Sequence, residues 1–360
     1  MAGEAPRLEA RKALIAGATG VVGRNLLRHL VARGDWEIVA LSRRRPDVEG
    51  TYEHIRVDLM DAAQCRERLS RLADVTHVFF AACAAGPDLA ELVSRNLTLL
   101  RNLVETIEPV AVDLKHIHFM QGSKWYGSHL GPYRTPAKED DPRHPPPNFY
   151  YDQWDYMVER QRGKSWTYSS ARPHAVSGFA IGNPSNLTMV IAIYAAISRE
   201  LGLPLCHPGT PGNYRALYQC TDSGLLARAM VWMATTPGCA NQAFNVTNGD
   251  LIRWENTWPK IARYFGMQTG PRRQISLVDY MADKGPVWDR IVKKHGLRPF
   301  SYPEIVSWPY GDFVFTPHYD IISDTGKARR FGFHENVDTE EMFFRLWNEM
   351  RADRIIPAAK

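Results

Sequence analysis

Residues 13–23 read ALIAGATGVVG, and this stretch decides the fold. ALIA is a short apolar run typical of a buried strand, and the residues after the turn carry apolar side chains at helical spacing up to Gly34. Gly17, Gly20 and Gly23 lie in the turn between them. Without Cβ atoms such a turn lets backbone N–H groups and the helix N-terminus approach a phosphate. The stretch therefore favours a nucleotide-binding unit over a purely structural glycine turn.

Short apolar runs continue to alternate with amphipathic segments through the first 120 residues. Strands are predicted at 37–42, 54–59, 76–82 and 114–122, with a long amphipathic helix at 89–107. Parallel strands need crossover connections, which place helices on both faces of a sheet. The pattern predicts an α/β fold with a doubly wound parallel sheet of the Rossmann type, whose ligands bind at the carboxyl ends of the strands.

In the second half of the chain the predicted strands and helices no longer alternate regularly. The predicted segments are a proline-rich loop at 128–148, a helix from Tyr150, a strand at 165–173, a Gly/Pro/Asn-rich passage to about Asn213, a helix at 221–237, and a strand and turn at 243–250. The aromatic-rich, mainly helical tail is predicted to form a substrate cap over the carboxyl edge of the sheet. The predicted domains are a Rossmann domain at 10–175, completed by about 214–250, and a cap at 176–213 and 251–360.

The composition excludes several classes of protein. A 44% hydrophobic and 23% charged chain of 360 residues with net charge +5 is typical of a soluble globular protein. No basic run with interleaved aromatics indicates nucleic-acid binding, and no apolar stretch is long enough to span a bilayer. The N-terminus MAGEAPRLEARK lacks the apolar region of a signal peptide. A cytoplasmic protein, monomer or homodimer, is expected.

The sequence predicts no metal site. Five widely spaced cysteines without a C-x-x-C pair argue against a disulfide framework and against zinc. His116 and His118 alternate along a predicted strand and could share a face, but no carboxylate or third ligand follows nearby. They are interpreted as core or edge histidines.

The end of the second predicted strand indicates which dinucleotide binds. NAD enzymes place Asp or Glu there to accept hydrogen bonds from the ribose 2′-hydroxyl. This chain has Ser42, Arg43, Arg44 and Arg45 instead. Because guanidinium groups pair with phosphate whereas a carboxylate would repel it, the cluster favours NADP over a merely solvated basic loop.

Other cofactor contacts are predicted from the same geometry. Asp58 and Leu59 end the third strand and are placed to meet the adenine, although Asp58 could instead cap a helix at 61–72. The remaining predicted contacts are Tyr150 and a set of residues in the glycine turn and at later strand ends: Thr19, Val21, Val22, Ala81, Ala82, Gln121 and Gly122.

The proton donor and its lysine come from different segments. The stretch NFYYDQWD offers Tyr150 and Tyr151, yet the positions four residues later, where many tyrosine-dependent reductases have lysine, hold Trp154 and Asp155. Lys124 follows a strand end in QGSKWYG, at the predicted nicotinamide edge. A nearby ammonium favours a phenolate and makes the phenol a better hydrogen-bond donor. Lys124 could equally be an exposed loop lysine.

A family resemblance extends from about residue 12 to about residue 357. The motifs LIAGATGVVG, VDLMD, THVFFAA, QGSKWYGS, NFYYDQWD, ARPHAVSGFA and AFNVTNGDLIRWENTWPKIARYFG, in this order, resemble the progesterone 5β-reductase/iridoid synthase-like enone reductases. These form an atypical branch of the short-chain dehydrogenase/reductases. The resemblance implies that Lys124 and Tyr150 are catalytic, that Pro173, Ala175 and Val176 border the cofactor, and that NADPH reduces the C=C bond of an α,β-unsaturated carbonyl compound.

The chain departs from the family pattern at three places. Trp125 stands where the family usually has His, Trp154-Asp155 where it has Glu-Asp, and His174 where it has the Gly of R-P-G. The expected reaction is conjugate reduction of a hydrophobic enone or enal, with Tyr150 stabilising the enolate. The alternatives are a carbonyl reductase or epimerase on the same fold, and a protein that senses NADP without turnover.

Overall fold

The computed structural model of the protein describes residues 11–182 and 185–358. The first ten residues, most of the segment on which the signal-peptide prediction rests, lie outside this part. None of the helices in the described ranges is long and apolar enough to cross a membrane. All five cysteines are free.

The strands alternate with helices in the N-terminal half, as predicted. The strands are β1 Lys12–Ala16, β2 Glu37–Ser42, β3 Glu53–Arg56, β4 His77–Phe80, β5 His116–Met120, β6 Thr167–Pro173, β7 Val176–Ser177, β8 Leu217–Tyr218, β9 Thr221–Asp222, β10 Gln242–Val246 and β11 Ile252–Arg253.

Helices dominate the C-terminal half. The α-helices are α1 Val21–Arg33, α2 Ala62–Leu69, α3 Leu89–Ile107, α4 Phe149–Gln161, α5 Leu187–Glu200, α6 Pro211–Arg215, α7 Ser223–Thr235, α8 Trp254–Tyr264, α9 Leu277–Tyr280, α10 Gly285–His295, α11 Tyr302–Ile305, α12 Trp308–Phe315, α13 Gly326–Arg330 and α14 Thr339–Ala352. Short 3-10 helices cover Ser123–Tyr126 and Pro237–Cys239.

The central sheet of the described residues has seven strands in the order β3-β2-β1-β4-β5-β6-β10. The pairs β3–β2, β2–β1, β1–β4 and β4–β5 are parallel. The first six positions follow the order of a doubly wound dinucleotide-binding sheet. The predicted Rossmann-type fold is therefore confirmed.

Two compact units can be distinguished by packing. The first comprises the chain up to Met120 with Pro146–Ser170 and Met230–Ala243, and the second comprises Gln121–Pro145, Ala171–Ala229 and Phe244 onward. The domain boundaries given above stay a prediction, as does the placement of the tail over the sheet.

The first unit has a core on each face of its sheet. Leu14, Val78 and Ile117 pack with α2, α3 and α4 in one hydrophobic cluster. Successive strand residues point to opposite faces, so Ala13 and Ile15 face the other side, and α1 packs on β1 and β2. This arrangement needs the all-apolar strand sequence, because both faces are covered.

The second unit is built around α5, which the sequence reading missed. The segment was predicted as irregular because glycine, proline and asparagine surround it, but Leu187–Ser198 are all buried, and α10, α12 and α14 pack on the helix. A helix that is apolar on every side shows no amphipathic period, so its pattern resembles a buried run of any type. Asn186 caps it by accepting the Met189 N–H.

The aromatic tail forms the core of this second unit. Trp254, Trp258, Trp288 and Trp347 are fully buried. Further aromatic residues of the tail, Tyr264, Phe265, Phe300, Tyr302 and Trp308, belong to the same hydrophobic cluster or pack against it. These aromatic residues therefore stabilise the unit.

The third strand is shorter than predicted. β3 ends at Arg56, so Asp58 and Leu59 follow the strand rather than end it. Asp58 is not a helix cap, because its Oδ1 accepts the Met60 N–H at 3.0 Å in a local turn. Asp61 caps α2 instead by accepting the Gln64 N–H at 3.0 Å.

The two strand histidines are core residues. His116 and His118 are buried and both contact the Ser169 hydroxyl, at 2.7 and 2.9 Å. Burial lowers the pKa of His118 to about 3 and that of His116 well below its usual value. Neutral imidazoles held by a serine are structural, and the described residues contain no His/Cys/Asp/Glu cluster suited to a metal.

Candidate active site

The glycine turn is tied to the ends of two strands in the first unit. The Gly17 and Ala18 N–H groups donate to Leu41 O at 3.1 Å, at the end of β2. Gly17 has a φ of +82°, and a Cβ there would lie 2.7 Å from the Ala82 nitrogen. The predicted contacts Gly17, Ala81, Ala82 and the β2 end are thus brought together by backbone packing that only glycine permits.

The two other glycines of the turn, Gly20 and Gly23, differ in whether internal packing requires a residue without a side chain. A Cβ on Gly23 would lie 2.3 Å from Gly17 O, so this glycine is required for the close approach of α1 to the turn. A Cβ on Gly20 would meet only Gly17 O, at an ordinary 3.5 Å. Internal packing therefore does not require glycine at position 20, and the missing side chain leaves space at the N-terminus of α1.

The N-terminus of α1 suits a phosphate. Gly20 is its N-cap and provides no side-chain hydrogen bond, and the first turn contains no acidic residue. Thr19, Val21 and Val22 surround this end, which presents N–H groups and the positive end of the helix dipole. The turn fits the pyrophosphate of a dinucleotide.

The basic residues after β2 are held in a fixed loop. The buried Ser42 donates from its hydroxyl to Arg44 O at 2.5 Å, and Arg24 of α1 pairs with Asp47 at 2.8 Å. The Arg45 guanidinium lies over the Tyr52 ring, 5.3 Å from its centroid. Ser42 and the loop backbone are therefore fixed by contacts with their neighbours.

Arg43 and Arg44 point into solvent from this loop. No carboxylate within 11–182 or 185–358 pairs with either guanidinium. Two guanidinium groups without a carboxylate partner, in the loop after β2, suit a phosphate such as the 2′-phosphate of NADP.

The residues after β3 have different surroundings. Leu59 is buried in the hydrophobic core of the first unit, and its carbonyl accepts the Asn102 side-chain N–H at 2.7 Å. Asp58 remains partly exposed. Of this predicted pair, only Asp58 therefore has a side chain available to a ligand.

Lys124 lies in a short 3-10 helix of the second unit, not at the end of a strand. Gln121 and Gly122 lead from β5 into Ser123–Tyr126, and Gly127 ends the turn with a φ of +77°. The Lys124 carbonyl accepts the Gly127 N–H at 3.2 Å and contacts His144 Nε2 at 3.1 Å. The main chain of Lys124 is therefore fixed although its side chain is exposed.

The ammonium of Lys124 has an aromatic and basic environment. Its Nζ lies 4.9 Å from the centroid of the Phe313 ring on α12. Burial, together with the neighbouring Lys124 ammonium and the His144 side chain, lowers the pKa of His129 to about 4. A neutral His129 leaves Lys124 as the cation of this group.

Tyr150 lies in the first turn of α4. Asn148 caps this helix by accepting the Tyr150 N–H at 3.1 Å, and the Gln153 amide donates to Asn96 O at 2.9 Å. Tyr150 is partly exposed whereas Tyr151 is only 5% exposed. Because the N-terminal end of a helix favours negative charge, this position suits a tyrosine that faces a developing oxyanion.

The segment after β6 is strained. Pro173 is buried, Val176 begins β7, and Ala175 has a φ of +42° between them. A left-handed conformation costs a non-glycine residue roughly 1–2 kcal/mol. Such strain recurs at functional segments. The role predicted for Pro173, Ala175 and Val176 stays a prediction.

The side chains at the three positions that depart from the family pattern each contact identifiable neighbours. Trp154 packs against Phe119 and Tyr168 of the first unit, with ring centroids 6.0 and 5.5 Å away. Trp125 stacks on the guanidinium of Arg172. His174 Nδ1 contacts the Ser123 hydroxyl at 2.7 Å. The sequence did not predict the contacts of Arg172 and Ser123. An arginine inside the predicted strand at 165–173 was the signal that could have indicated them.

The predicted site residues fall into two groups. The glycine turn, Ser42, Arg43, Arg44, Asp58, Leu59, Ala81, Ala82 and Tyr150 belong to the first unit, whereas Gln121, Gly122, Lys124, Pro173, Ala175 and Val176 belong to the second.

Comparison with known proteins supports the resemblance. A family model for PRISE-like Rossmann-fold domains matches residues 55–357. An (S)-8-oxocitronellyl enol synthase of Nepeta racemosa is 33% identical over 98% of this chain and 95% of its own length. A 3-oxo-Delta(4,5)-steroid 5-beta-reductase of Arabidopsis thaliana is 30% identical over 96% and 93% of the two chains.

Solved structures share the fold. A UDP-glucose 4-epimerase of Thermotoga maritima superposes with a TM-score of 0.66 at 16% identity, over 94% of this chain and 99% of that one. The Bordetella bronchiseptica enzyme WbmG, in complex with NAD, gives 0.66 at 18% identity over 99% of both chains. At this identity the likeness concerns the architecture alone.

Proposed function

The chain belongs to the family of PRISE-like Rossmann-fold domains and is an oxidoreductase of the short-chain dehydrogenase/reductase type, and we propose that it reduces the C=C bond of α,β-unsaturated carbonyl compounds with NADPH. The observation that carries the proposal is the match, over nearly the full length of the chain, to a 3-oxo-Delta(4,5)-steroid 5-beta-reductase and an (S)-8-oxocitronellyl enol synthase. Lys124 and Tyr150 lie in the motifs that the family resemblance described above implies to be catalytic.

The proposed mechanism assigns one task to each residue. Bound NADPH would supply the hydride that reduces the β-carbon of the substrate. The Tyr150 hydroxyl donates a hydrogen bond to the substrate carbonyl oxygen, where negative charge develops. Lys124 contributes a positive charge that favours ionisation of the phenol. The α-carbon takes its proton from solvent.

The proposed cofactor contacts follow from the first unit. The α1 N-terminus at Gly20–Val22 would hold the pyrophosphate, and Arg43 and Arg44 the 2′-phosphate. Asp58, Ala81 and Ala82 would border the adenosine half. Gln121, Gly122, Pro173, Ala175 and Val176 would border the nicotinamide half. A cytosolic location, with the protein as monomer or homodimer, is part of the proposal.

The product identifies the reaction. With NADPH and a cyclic enone such as 2-cyclohexenone, we expect the saturated ketone, because hydride adds to the β-carbon. Gas chromatography of the product measures this directly. An allylic alcohol would instead support a carbonyl reductase, and the absence of NADPH oxidation with enones of graded size, from small cyclic enones to steroids, would support a protein that only senses NADP.

Cofactor preference tests the basic loop. Replacing Arg43 and Arg44 by Ser should raise the KM for NADPH roughly tenfold to hundredfold, because a charge-assisted hydrogen bond contributes about 1.5–3 kcal/mol. The KM for NADH should stay nearly constant, since NADH has no 2′-phosphate. Steady-state kinetics with both cofactors measure the ratio.

The matched control is Arg45→Ser in the same loop. The Arg45 side chain lies over Tyr52, so its loss should leave the NADPH preference unchanged. If the KM for NADPH and the KM for NADH rise equally in the Arg43/Arg44 variant, the loop does not bind the 2′-phosphate.

A further inference from the structure

We propose that Arg172 is a positioning residue for Lys124: its buried guanidinium, stacked on Trp125, fixes the 3-10 turn that carries the lysine. The inference rests on the proposed function, in which Lys124 acts on the reaction. It deepens that function by assigning the residues that determine where the ammonium lies.

Arg172 contacts the residues on both sides of Lys124. Its carbon Cζ lies 3.7 Å from the centroid of the Trp125 ring. The guanidinium donates to the Gln121 side-chain oxygen at 2.9 Å and to the Tyr126 hydroxyl at 3.2 Å. One side chain therefore holds positions 121, 125 and 126, which enclose the lysine.

The Arg172 side chain and the backbone before it are themselves held in place. Arg172 is only 2% exposed and also donates to Glu139 O at 3.0 Å. The Gln121 N–H donates to Ala171 O at 2.9 Å, which joins the two chain segments directly. The planar guanidinium can stack on a ring and donate hydrogen bonds at its edge simultaneously, and an ammonium at this place could not do both.

The turn is held from a second side by the following loop. The Arg143 guanidinium lies 5.2 Å from the Trp125 centroid, so the indole contacts two guanidinium groups. His144 contacts the Lys124 carbonyl at 3.1 Å and also packs against Gly127, where a Cβ would lie 3.1 Å from the imidazole. The large indole at position 125 provides the shared surface for both arginines.

These contacts fix the main chain from which the Lys124 side chain extends. A lysine side chain has several rotatable bonds, and its ammonium is exposed beside Phe313. A fixed main chain limits the region that the ammonium can reach. Because reacting groups must be placed within about 1 Å, a shift of the turn would reduce catalysis without touching the cofactor.

A double-mutant cycle tests whether Arg172 acts through Lys124. We expect Arg172→Lys to lower kcat about tenfold to hundredfold, the loss typical of a misplaced catalytic group, with the Kd for NADPH nearly unchanged. In a Lys124→Ala background the same substitution should change kcat by no more than about twofold, because coupled sites are not additive. Multiplied losses in the double variant would overturn the inference and leave Arg172 as a merely structural residue.

If the Arg172→Lys variant does not fold, a second double-mutant cycle, between Trp125 and Lys124, tests the same inference independently. Trp125→Leu removes the stacking ring and should lose kcat only when Lys124 is present, whereas Trp125→His keeps a planar ring and should recover most of the turnover. Equal losses with His and Leu would contradict a stacking role.

The matched control is Arg351→Lys. Arg351 also lies over an aromatic ring, 4.2 Å from the Tyr264 centroid, and donates to backbone carbonyls, but it is distant in sequence and does not contact residues 121–127. Its substitution should leave kcat unchanged. If the unchanged protein oxidises no NADPH with any enone, the proposed function fails. If Lys124→Ala reduces the enone at the normal rate, the role proposed for Lys124 fails while the function stands, and additive losses with an impaired Lys124→Ala refute only the inference about Arg172.

Discussion

Tyr150→Phe should lower kcat for enone reduction about 10²–10³-fold, the loss that follows removal of one donor to a developing oxyanion. The Kd for NADPH should change by no more than about twofold, because the phenol hydroxyl is assigned to the substrate oxygen. The substitution removes one oxygen from a partly exposed ring, so α4 and its Asn148 cap should remain intact. Steady-state kinetics and fluorescence titration with NADPH separate the two effects.

The neighbouring tyrosine is the matched control. Tyr151 is 5% exposed and points about 100° away from Tyr150 around the helix. Tyr151→Phe should therefore keep normal turnover. If Tyr151→Phe is inactive while Tyr150→Phe reduces enones normally, the assignment of the two tyrosines is reversed. Lys124→Ala should also reduce kcat with NADPH binding preserved.

The stability of the protein should fall steeply as the pH is lowered from 6.5. Burial lowers the pKa of His118, His174 and His207 to about 3, and that of His116 well below its usual range. Their folded pKa values lie below the unfolded value near 6.5, so the unfolded state binds more protons in this window. Stability is therefore fully present above about 6.5 and decreases as the pH falls toward 3.

The expected loss of unfolding free energy at low pH is comparable to the total stability of a folded domain. Each buried histidine contributes about 1.4 kcal/mol per pH unit below its unfolded pKa, so four contribute on the order of 8 kcal/mol of loss at pH 5. Folded proteins are stable by about 5–15 kcal/mol. Burial raises the pKa of Glu139, which acts in the opposite direction, but it is a single carboxyl.

Urea unfolding at pH values between 7.5 and 5 measures this slope. His207 packs against Tyr214, Trp258 and Phe315, so His207→Phe should be accommodated and should reduce the slope by about 1.4 kcal/mol per pH unit. His334→Gln, at an exposed position, is the control and should not change it. A free energy of unfolding that is constant between pH 7 and 5 would show that these imidazoles are not held neutral.

The strand–turn–helix unit at Gly17–Gly23 and the loop after β2 were predictable because their signals are local. The spacing of Gly17, Gly20 and Gly23 places a strand, a turn and a helix within a few residues. The position of Arg43 and Arg44 after the next strand follows from the same unit. Adjacent parallel strands then bring their ends to one edge, so few contacts distant in sequence are needed.

The sequence failed where burial overrides the local pattern. Leu187–Ser198 form a helix that is buried on every side, so no amphipathic period marks it. Asp58 was considered as a helix cap, but Asp61 has the extended backbone and the geometry to accept the Gln64 N–H. The irregular segment was a wrong prediction and the Asp58 cap an alternative that the structure excludes, and both concern choices among local conformations that distant packing decides.

By itself, the sequence determined the Rossmann-type sheet, the glycine turn between β1 and α1, and the two motifs that contain Lys124 and Tyr150, because hydrophobic period and glycine spacing act over short distances. The tertiary structure alone decided how the lysine is held. Arg172 lies 48 positions after Lys124, and its stacking on Trp125 arises only when the ends of β5 and β6 lie side by side. Such a contact leaves no periodic trace in the chain, since it depends on three-dimensional neighbours rather than on spacing.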